Sequence, residues 1–191
     1  MSCLVLDAMG VIFKSADDVA ELLIPFIAEK SESFDEQVIH SAYLQASLGN
    51  IGPDEFWNRV DVAPELEDEF LSRHALNPGI TELLSQANNN GISVWCLSND
   101  VGRWSDKLRK NLGIEEFLAG SIISGDVGVR KPDKEIYKIL IDSIDCGIKD
   151  VLFVDDREKN VIAARKAGIE TVMFNPETGF ADAKNWISQR I

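Results

Sequence analysis

The chain has 191 residues and a formal net charge of −13, with 45% hydrophobic and 27% charged residues. That composition is ordinary for a globular protein, and the length accommodates one domain with a small insertion. Because this excess of negative charge repels phosphate backbones and anionic lipid surfaces, we expect neither nucleic acid nor a membrane as a partner.

Five short apolar runs predict the strands of the fold. Several are apolar nearly throughout, which is typical of strands buried on both faces of a parallel sheet. Helical patterns separate the later runs, which predicts a three-layer, doubly wound, Rossmann-like α/β fold. The predicted strands are 3–7, 92–98, 120–124, 151–155 and 170–174, and the predicted core helices are 79–90, 103–112, 133–144 and 158–167.

The interval between the first and second strands contains helical patterns at 16–30, 34–48, 53–60 and 66–73. Pro25 should kink or shorten the first helix. Ser33 with Glu36 is a capping-box pattern for the second helix, and the acidic run 64–69 is expected to be a solvated helix face. Because this interval is too long for a single crossover, we predict a helical-bundle cap of residues 15–76 on a core of 1–14 and 77–191. The cap would close over the carboxyl ends of the strands.

The three cysteines are widely spaced along the sequence. An odd number at such spacing fits neither a disulfide framework nor a zinc site, and Cys3 and Cys96 are expected as buried thiols in strands. No apolar stretch approaches the about 18 residues that a membrane span needs. No basic leader precedes the first apolar run. We therefore expect a cytoplasmic protein.

Polar side chains follow the predicted strands at their carboxyl ends, where ligands bind in open parallel sheets. Three of them are carboxylates, which repel one another unless a cation neutralises them, and oxygen ligands suit Mg²⁺. The metal and one lysine would form a positive pocket in an acidic protein, and a serine could donate to a phosphoryl oxygen. The residues in question are Asp7, Ser98, Asn99, Lys131, Asp155 and Asp156.

Four segments carry a resemblance to the haloacid dehalogenase-like (HAD) hydrolase superfamily, in particular to its small capped phosphatases. The segments are LVLDAMGVIF around Asp7, VWCLSND around Ser98, GDVGVRKPDKEIY around Lys131 and VLFVDDREKNVIAARKAG around Asp155 and Asp156. They resemble the motifs of that superfamily in order and spacing. The resemblance covers nearly the whole chain, because the helical insertion lies where the superfamily has its cap.

The resemblance implies a role for each site residue. Asp7 would be the nucleophile and would form an aspartyl-phosphate. Magnesium would be held by Asp7, the Met9 backbone carbonyl and Asp156, with Asp155 acting directly or through water. Ser98 and the Asn99 backbone would hold the phosphoryl group, and Lys131 would balance the charge at the nucleophile.

The sequence departs from its relatives at Met9. Phosphatases of the superfamily usually carry a second aspartate there, which protonates the leaving group and later activates water, and methionine does neither. The first hypothesis is a Mg²⁺-dependent phosphatase acting on a small phosphorylated metabolite. Hydrolysis of a carbon–halogen or carbon–phosphorus bond through Asp7 stays open, as does a non-catalytic, degenerate member. The intact pair of Asp155 and Asp156 argues against dehalogenation.

Other polar residues lie outside the central motif positions. Arg130 is expected in a surface or structural ion pair, and Asn160 in a supporting or capping role one turn after Asp156. The two histidines, His40 and His74, fall in no motif, so a catalytic histidine is not expected. Neither the identity of the substrate nor the oligomeric state follows from the sequence.

Overall fold

A five-stranded parallel sheet in the order β3-β2-β1-β4-β5 forms the centre of the computed structural model, which describes residues 1–190. This confirms the predicted doubly wound α/β fold. The chain runs outward from β1 to β3 and then returns to place β4 beside β1, so the topological switch lies between β1 and β4. The strands are β1 (Cys3–Leu6), β2 (Ser93–Ser98), β3 (Gly120–Ile123), β4 (Val151–Asp155) and β5 (Glu170–Met173).

Helices cover both faces of the sheet, and five α-helices lie between β1 and β2 in the chain, of which the first four form the helical interval. Within residues 1–190 they are α1 (Ile24–Lys30), α2 (Glu36–Ala46), α3 (Pro53–Arg59), α4 (Glu67–Leu71), α5 (Ile80–Asn89), α6 (Gly102–Asn111), α7 (Ser124–Val127), α8 (Lys134–Ser143), α9 (Glu158–Lys166) and α10 (Ala181–Ser188). In the part of the chain described, no helix has both the length and the apolar character needed to cross a membrane.

The apolar run of β1 explains why this strand is central. Leu4 and Leu6 belong to the core on one face of the sheet, and Cys3 and Val5 belong to the core on the other. All four side chains are at most 1% exposed. Because successive side chains of a strand point to opposite faces, only a strand covered on both sides buries every residue of such a run.

The helical interval begins with a π-helical turn at Val19–Leu23, and α1 follows from Ile24 with Pro25 in its first turn. Proline is tolerated there because the first N–H groups of a helix have no intrahelical partner. The predicted capping box at Ser33 is wrong. The N-cap of α2 is Asp35, whose carboxylate accepts hydrogen bonds from the Gln37 and Val38 amides at 2.8 and 3.4 Å.

Helix α4 joins the helical interval to α6 of the core through Glu67, which is only 2% exposed. Its Oε2 accepts hydrogen bonds from the indole N–H groups of Trp57 and Trp104 at 3.1 and 2.7 Å, and from the Arg103 guanidinium at 2.6 Å. The expectation of a solvated acidic face over 64–69 is therefore wrong at Glu67. Glu67 faces inward, and the indole and guanidinium donors take the place of the water that would hydrate an exposed carboxylate.

The cysteine prediction is partly wrong. Cys96 is a buried free thiol, as expected, but Cys3 forms a disulfide with Cys146 across a sequence separation of 143 residues. The pairing arises because Cys3 lies opposite Val151 at the start of the β1–β4 ladder, close to the loop that precedes β4. Such a contact depends on strand order and has no local sequence pattern.

Candidate active site

Three carboxylates meet at the topological switch of the sheet. Asp7 follows β1 and its amide donates to the Val154 carbonyl of β4 at 2.9 Å, which continues the ladder into the site. Asp155 ends β4 and Asp156 comes next. One carboxylate oxygen from each of the three aspartates lies within 4.8 Å of the others. The predicted convergence of these side chains is therefore observed.

Lys131 lies between two of these carboxylates and is 3% exposed. Its Nζ is 2.7 Å from Asp7 Oδ1 and 2.8 Å from Asp155 Oδ2, and it donates to the Leu97 carbonyl at 2.7 Å. Burial alone would lower the pKa of this amine, but the two aspartates raise it above the ordinary lysine value. The lysine is therefore charged and neutralises part of the carboxylate cluster.

The side chain of Asn99 fixes the backbone at Lys131. Asn99 Nδ2 donates to the Lys131 carbonyl at 2.8 Å, and Asn99 Oδ1 accepts from the Lys131 amide at 2.7 Å. This reciprocal pair holds the loop after β3 against the end of β2. The neighbouring Ser98 hydroxyl is buried and has no hydrogen-bond partner among residues 1–190. It lines a cavity in front of the carboxylates, so it is available to a ligand.

Asp155 and Asp156 differ in what their oxygens already bind. Asp155 Oδ1 accepts from the Arg157 amide at 2.8 Å, Oδ2 accepts from Lys131, and Asn160 Nδ2 lies 3.0 Å from both oxygens. These contacts fill its acceptor positions. By contrast, Asp156 Oδ1 is buried without a partner in the described chain. Asn160 thus supports Asp155, as predicted, while Asp156 keeps an oxygen free.

The charges of the carboxylates follow from these surroundings. Burial opposes ionisation of Asp155, yet Lys131 and the Arg157 amide lower its pKa below the ordinary value. Burial raises the pKa of Asp7 well above its ordinary value, against the opposing attraction of Lys131. Burial, and then the nearby Asp155, also raise the pKa of Asp156. A further cation next to Asp7 and Asp156 would relieve this penalty.

Gly10 leaves room for Asp156. Its φ is +79°, and a Cβ at this position would lie 2.5 Å from Asp156 Oδ2. Any other residue would be strained in this conformation and would also push the carboxylate away. Met9, one residue earlier, is 7% exposed and lies in the cavity wall. Within the described residues no backbone N–H donates to the Met9 carbonyl, which leaves that oxygen free for a ligand.

The cavity in front of the carboxylates has a volume of about 400 Å³. The helical interval supplies one wall of it with residues that no motif predicted. His40, Tyr43 and Leu44 lie on one face of α2, and their i, i+3, i+4 spacing is the signal that could have indicated a shared surface. The cavity is lined by Asp7, Met9, Asp17, Asp18, Val19, His40, Tyr43, Leu44, Ser98, Asn99, Arg130, Lys131, Arg157, Lys159 and Asn160.

Two arginines connect the helical interval to the core at this cavity. Arg130 donates a hydrogen bond to the Ser47 hydroxyl, and its guanidinium lies 5.7 Å from the centre of the Tyr43 ring. The expectation of an ion pair for Arg130 is therefore wrong, since its contacts are a hydroxyl and an aromatic face. Arg157 donates to the Ala16 carbonyl at 3.0 Å. Tyr43 itself donates to the Asn99 carbonyl at 3.3 Å.

The sheet thus places an aspartate at its switch point, paired with a buried lysine and facing two further carboxylates. The chain belongs to the haloacid dehalogenase-like hydrolase family, whose family model matches residues 1–168. The resemblance inferred from the four motifs is therefore confirmed.

Two relatives show the extent of the sequence similarity. Sesquiterpene phosphatase astK of Aspergillus oryzae is 32% identical over 90 residues, which cover 47% of this chain and 46% of that protein. Drimenol cyclase drtB of Aspergillus calidoustus is 42% identical over 152 residues, covering 73% of this chain and 29% of that protein. The chain thus spans less than half the length of either relative.

The structural similarity covers almost the entire chain. The crystal structure of the magnesium complex of bt-2542, a HAD family enzyme from Bacteroides thetaiotaomicron, superposes with a TM-score of 0.80. The two chains are 20% identical, and the match covers 96% of this chain and 98% of that one. At this identity the comparison establishes the shared fold.

Proposed function

We propose that the chain is a Mg²⁺-dependent phosphatase that acts on a small phosphorylated metabolite through Asp7. The observation that carries the proposal is the position of Lys131 between Asp7 and Asp155, beside the unpartnered Ser98 hydroxyl in the cavity wall. A phosphoryl group needs positive charge and hydrogen-bond donors around it, and this arrangement supplies both. The name of the astK relative, a phosphatase, agrees with it.

The donor set fits a hard divalent cation. Asp156 has a buried oxygen without a partner, the Met9 carbonyl is free, and Asp7 adds a carboxylate oxygen. These three residues would hold Mg²⁺. Asp155, whose acceptor positions are already filled by protein donors, would position Asp156 and Lys131 without binding the metal directly. When bound, Mg²⁺ would supply charge that neutralises carboxylate and phosphoryl oxygens together.

The residues of the chain define the chemistry in two steps. In the first, a carboxylate oxygen of Asp7 forms a bond to phosphorus while the bond from phosphorus to the leaving oxygen breaks. Lys131 opposes the rise in the pKa of Asp7 that burial causes, and so favours the anionic form that attacks, while Ser98 donates to a phosphoryl oxygen. In the second step, water attacks the same phosphorus, the Asp7–phosphorus bond breaks, and inorganic phosphate is released. Asp7 is then restored.

The cavity supports a small substrate with negative charge. A volume of about 400 Å³ lies in the range of small-molecule sites. Arg130, Arg157 and Lys159 surround it in addition to Lys131. We place the division between core and cap at residues 14 and 77, with the cap supplying the wall opposite the carboxylates.

We also propose a cytoplasmic location, where phosphorylated metabolites and Mg²⁺ are available. Because the cytoplasm usually keeps thiols reduced, this location also predicts that the Cys3–Cys146 bond is reduced in cells.

The test is phosphate release from a panel of phosphorylated metabolites with Mg²⁺ or with EDTA. We expect turnover of some of them with Mg²⁺, and none with EDTA. Asp7→Asn should abolish turnover without unfolding the protein, whereas Asp145→Asn, at an exposed position, should behave as wild type. Turnover that survives either EDTA or Asp7→Asn would contradict the proposal. Halide release from haloacids by the metal-free protein would favour the dehalogenase alternative.

A further inference from the structure

The proposed reaction lacks one component, a group that protonates the leaving oxygen. An alkoxide leaves phosphorus slowly unless it receives a proton as the bond breaks. Met9 occupies the position from which relatives supply that proton. A substitute must be a titratable group that lines the cavity in front of Asp7. The assignment of such a group rests on the proposed function and deepens it.

The helical interval brings four titratable side chains to the cavity: Asp17, Asp18, His40 and Tyr43. Asp17 is exposed, and its carboxylate already accepts from the Ala20 amide at 3.2 Å. His40 is exposed on α2. Tyr43 is buried, but burial raises the pKa of its phenol well above the ordinary value and its hydroxyl donates to the Asn99 carbonyl. Asp18 is the carboxyl among these groups that is withdrawn from solvent, with 5% exposure.

Asp100 is the other buried carboxyl near the site, but it does not line the cavity. Its Oδ1 accepts from the Val101 amide at 2.7 Å, which turns that oxygen toward its own backbone. Asp18 differs from Asp100 in its position. It forms part of the cavity wall, and among residues 1–190 no other side chain donates a hydrogen bond to its carboxylate.

The surroundings of Asp18 suit a group that both gives and takes a proton. Burial, followed by the nearby Asp17, raises the pKa of Asp18 to about 6, and the Arg157 guanidinium opposes this rise. Asp100 and Tyr43 are the other titratable groups close enough to interact with it. A pKa near the working pH is the one at which a carboxyl exchanges protons most effectively.

We propose that Asp18 is the general acid and then the general base of this phosphatase, in place of the carboxylate that is absent at Met9. In the first step the protonated carboxyl of Asp18 gives its proton to the leaving oxygen as the Asp7–phosphorus bond forms. In the second step the Asp18 carboxylate takes a proton from water as that water attacks phosphorus. The Asp7–phosphorus bond breaks, phosphate leaves, and Asp18 is protonated for the next turnover.

The first experiment compares Asp18→Asn with Asp145→Asn, a variant at an exposed position away from the cavity, on one alkyl and one aryl phosphate. Asp18→Asn should lower kcat for the alkyl ester by about 10²–10⁴-fold, the usual contribution of acid–base help. The first step of the aryl ester should suffer less, since its leaving group needs less protonation. Asp145→Asn should leave the turnover of both substrates as in wild type. Equal effects of the two variants, or equal losses on both esters, would overturn the proposal.

The pH profile supplies a readout that a structural role would not move. In wild type, kcat/KM for the alkyl ester should fall as pH rises through about 6, because the acid must be protonated. Asp18→Asn should remove this fall, while any titration of the substrate phosphate stays in both profiles. An unchanged profile would contradict the assignment.

A rescue experiment keeps the test independent of the folding of one variant. Met9→Asp in the Asp18→Asn background should restore alkyl turnover by at least about tenfold, because it returns a carboxyl to the reacting oxygens. Met9→Asp should raise alkyl turnover much less in the wild-type background than in the Asp18→Asn background, since wild type already has an acid. A large gain from Met9→Asp alone would overturn the role of Asp18. If wild type turns over no phosphate ester, the proposed function itself fails. If the enzyme is Mg²⁺-dependent but Asp18→Asn matches Asp145→Asn, only the role of Asp18 fails.

Discussion

Replacing Glu67 with leucine should destabilise the protein strongly, because this one carboxylate joins α4 to α6. Its Oε2 accepts from the buried indoles of Trp57 and Trp104. Leaving a buried donor without a partner costs about 1–3 kcal/mol. Removing the acceptor of both indole N–H groups should therefore lower the free energy of unfolding by about 2–6 kcal/mol. The Arg103 and Lys107 side chains are 38% and 35% exposed, so they can return to water and add little.

Urea unfolding followed by tryptophan fluorescence measures this loss. Glu67→Leu should lower the free energy of unfolding by about 2–6 kcal/mol, and Glu67→Gln, which keeps an acceptor, by less. Asp68→Asn is the matched control. Asp68 pairs with the same Lys107 at 2.7 Å, but its side chain is 73% exposed, so its loss should stay within about 1 kcal/mol. Equal losses for Glu67→Leu and Asp68→Asn would refute the reasoning.

Three further outcomes are expected. Gly10→Ala should weaken Mg²⁺ binding in calorimetry because the added Cβ would meet the Asp156 carboxylate. Gly91→Ala should not, since Gly91 has a similar φ of +68° but no atom within 4 Å of its Cβ position. Equal Mg²⁺ affinities of the two variants would contradict this contact. Lys131→Met should cost about 3–5 kcal/mol of stability in urea, because the buried carboxylates lose their cation, and added Mg²⁺ should recover part of it. Asp18→Asn should raise the free energy of unfolding by up to about 3 kcal/mol at pH 8, because ionising a buried carboxyl with a raised pKa is unfavourable. This gain should vanish below pH about 4, where the carboxyl is protonated in both the folded and the unfolded protein. A gain that does not depend on pH would contradict the raised pKa.

The gathering of the carboxylates and Ser98 could be predicted from the sequence because these residues lie at the end of a strand or immediately after it. Asp7 comes immediately after an unbroken apolar run, and Asp155 ends another. Parallel strands bring their carboxyl ends to one edge, so strand recognition was enough to bring these side chains together. The roles assigned to them stay predictions.

The features that the sequence did not reveal depend on contacts between distant segments. Helix α10 went unpredicted, although Trp186 is buried and donates to Glu170 at 3.1 Å. The apolar pattern of α10 is too short to predict a helix by itself, and the helix is stabilised by packing against α5 and β4. Cys146 became a disulfide partner only through the pairing of β1 with β4.

Asp18 and Glu67 were missed for a related reason. Both lie in acidic stretches that resemble solvated surface, and acidic residues are usually exposed. Their burial follows from the position of the helical interval over the strand ends and against α6. Helical periodicity predicts the helices of such an interval, but it does not say which of several neighbouring carboxylates turns inward.

The central claim is that Asp7 carries the phosphoryl group during turnover. The most direct measurement is a single-turnover reaction with enzyme in excess and Mg²⁺ present, quenched in acid, reduced with borohydride and analysed by peptide mass spectrometry. Borohydride reduces an acyl phosphate to an alcohol, so the account predicts homoserine in place of aspartate at position 7 alone. Rapid phosphate release with an unmodified Asp7 at every quench time, or with homoserine at another aspartate, would contradict it.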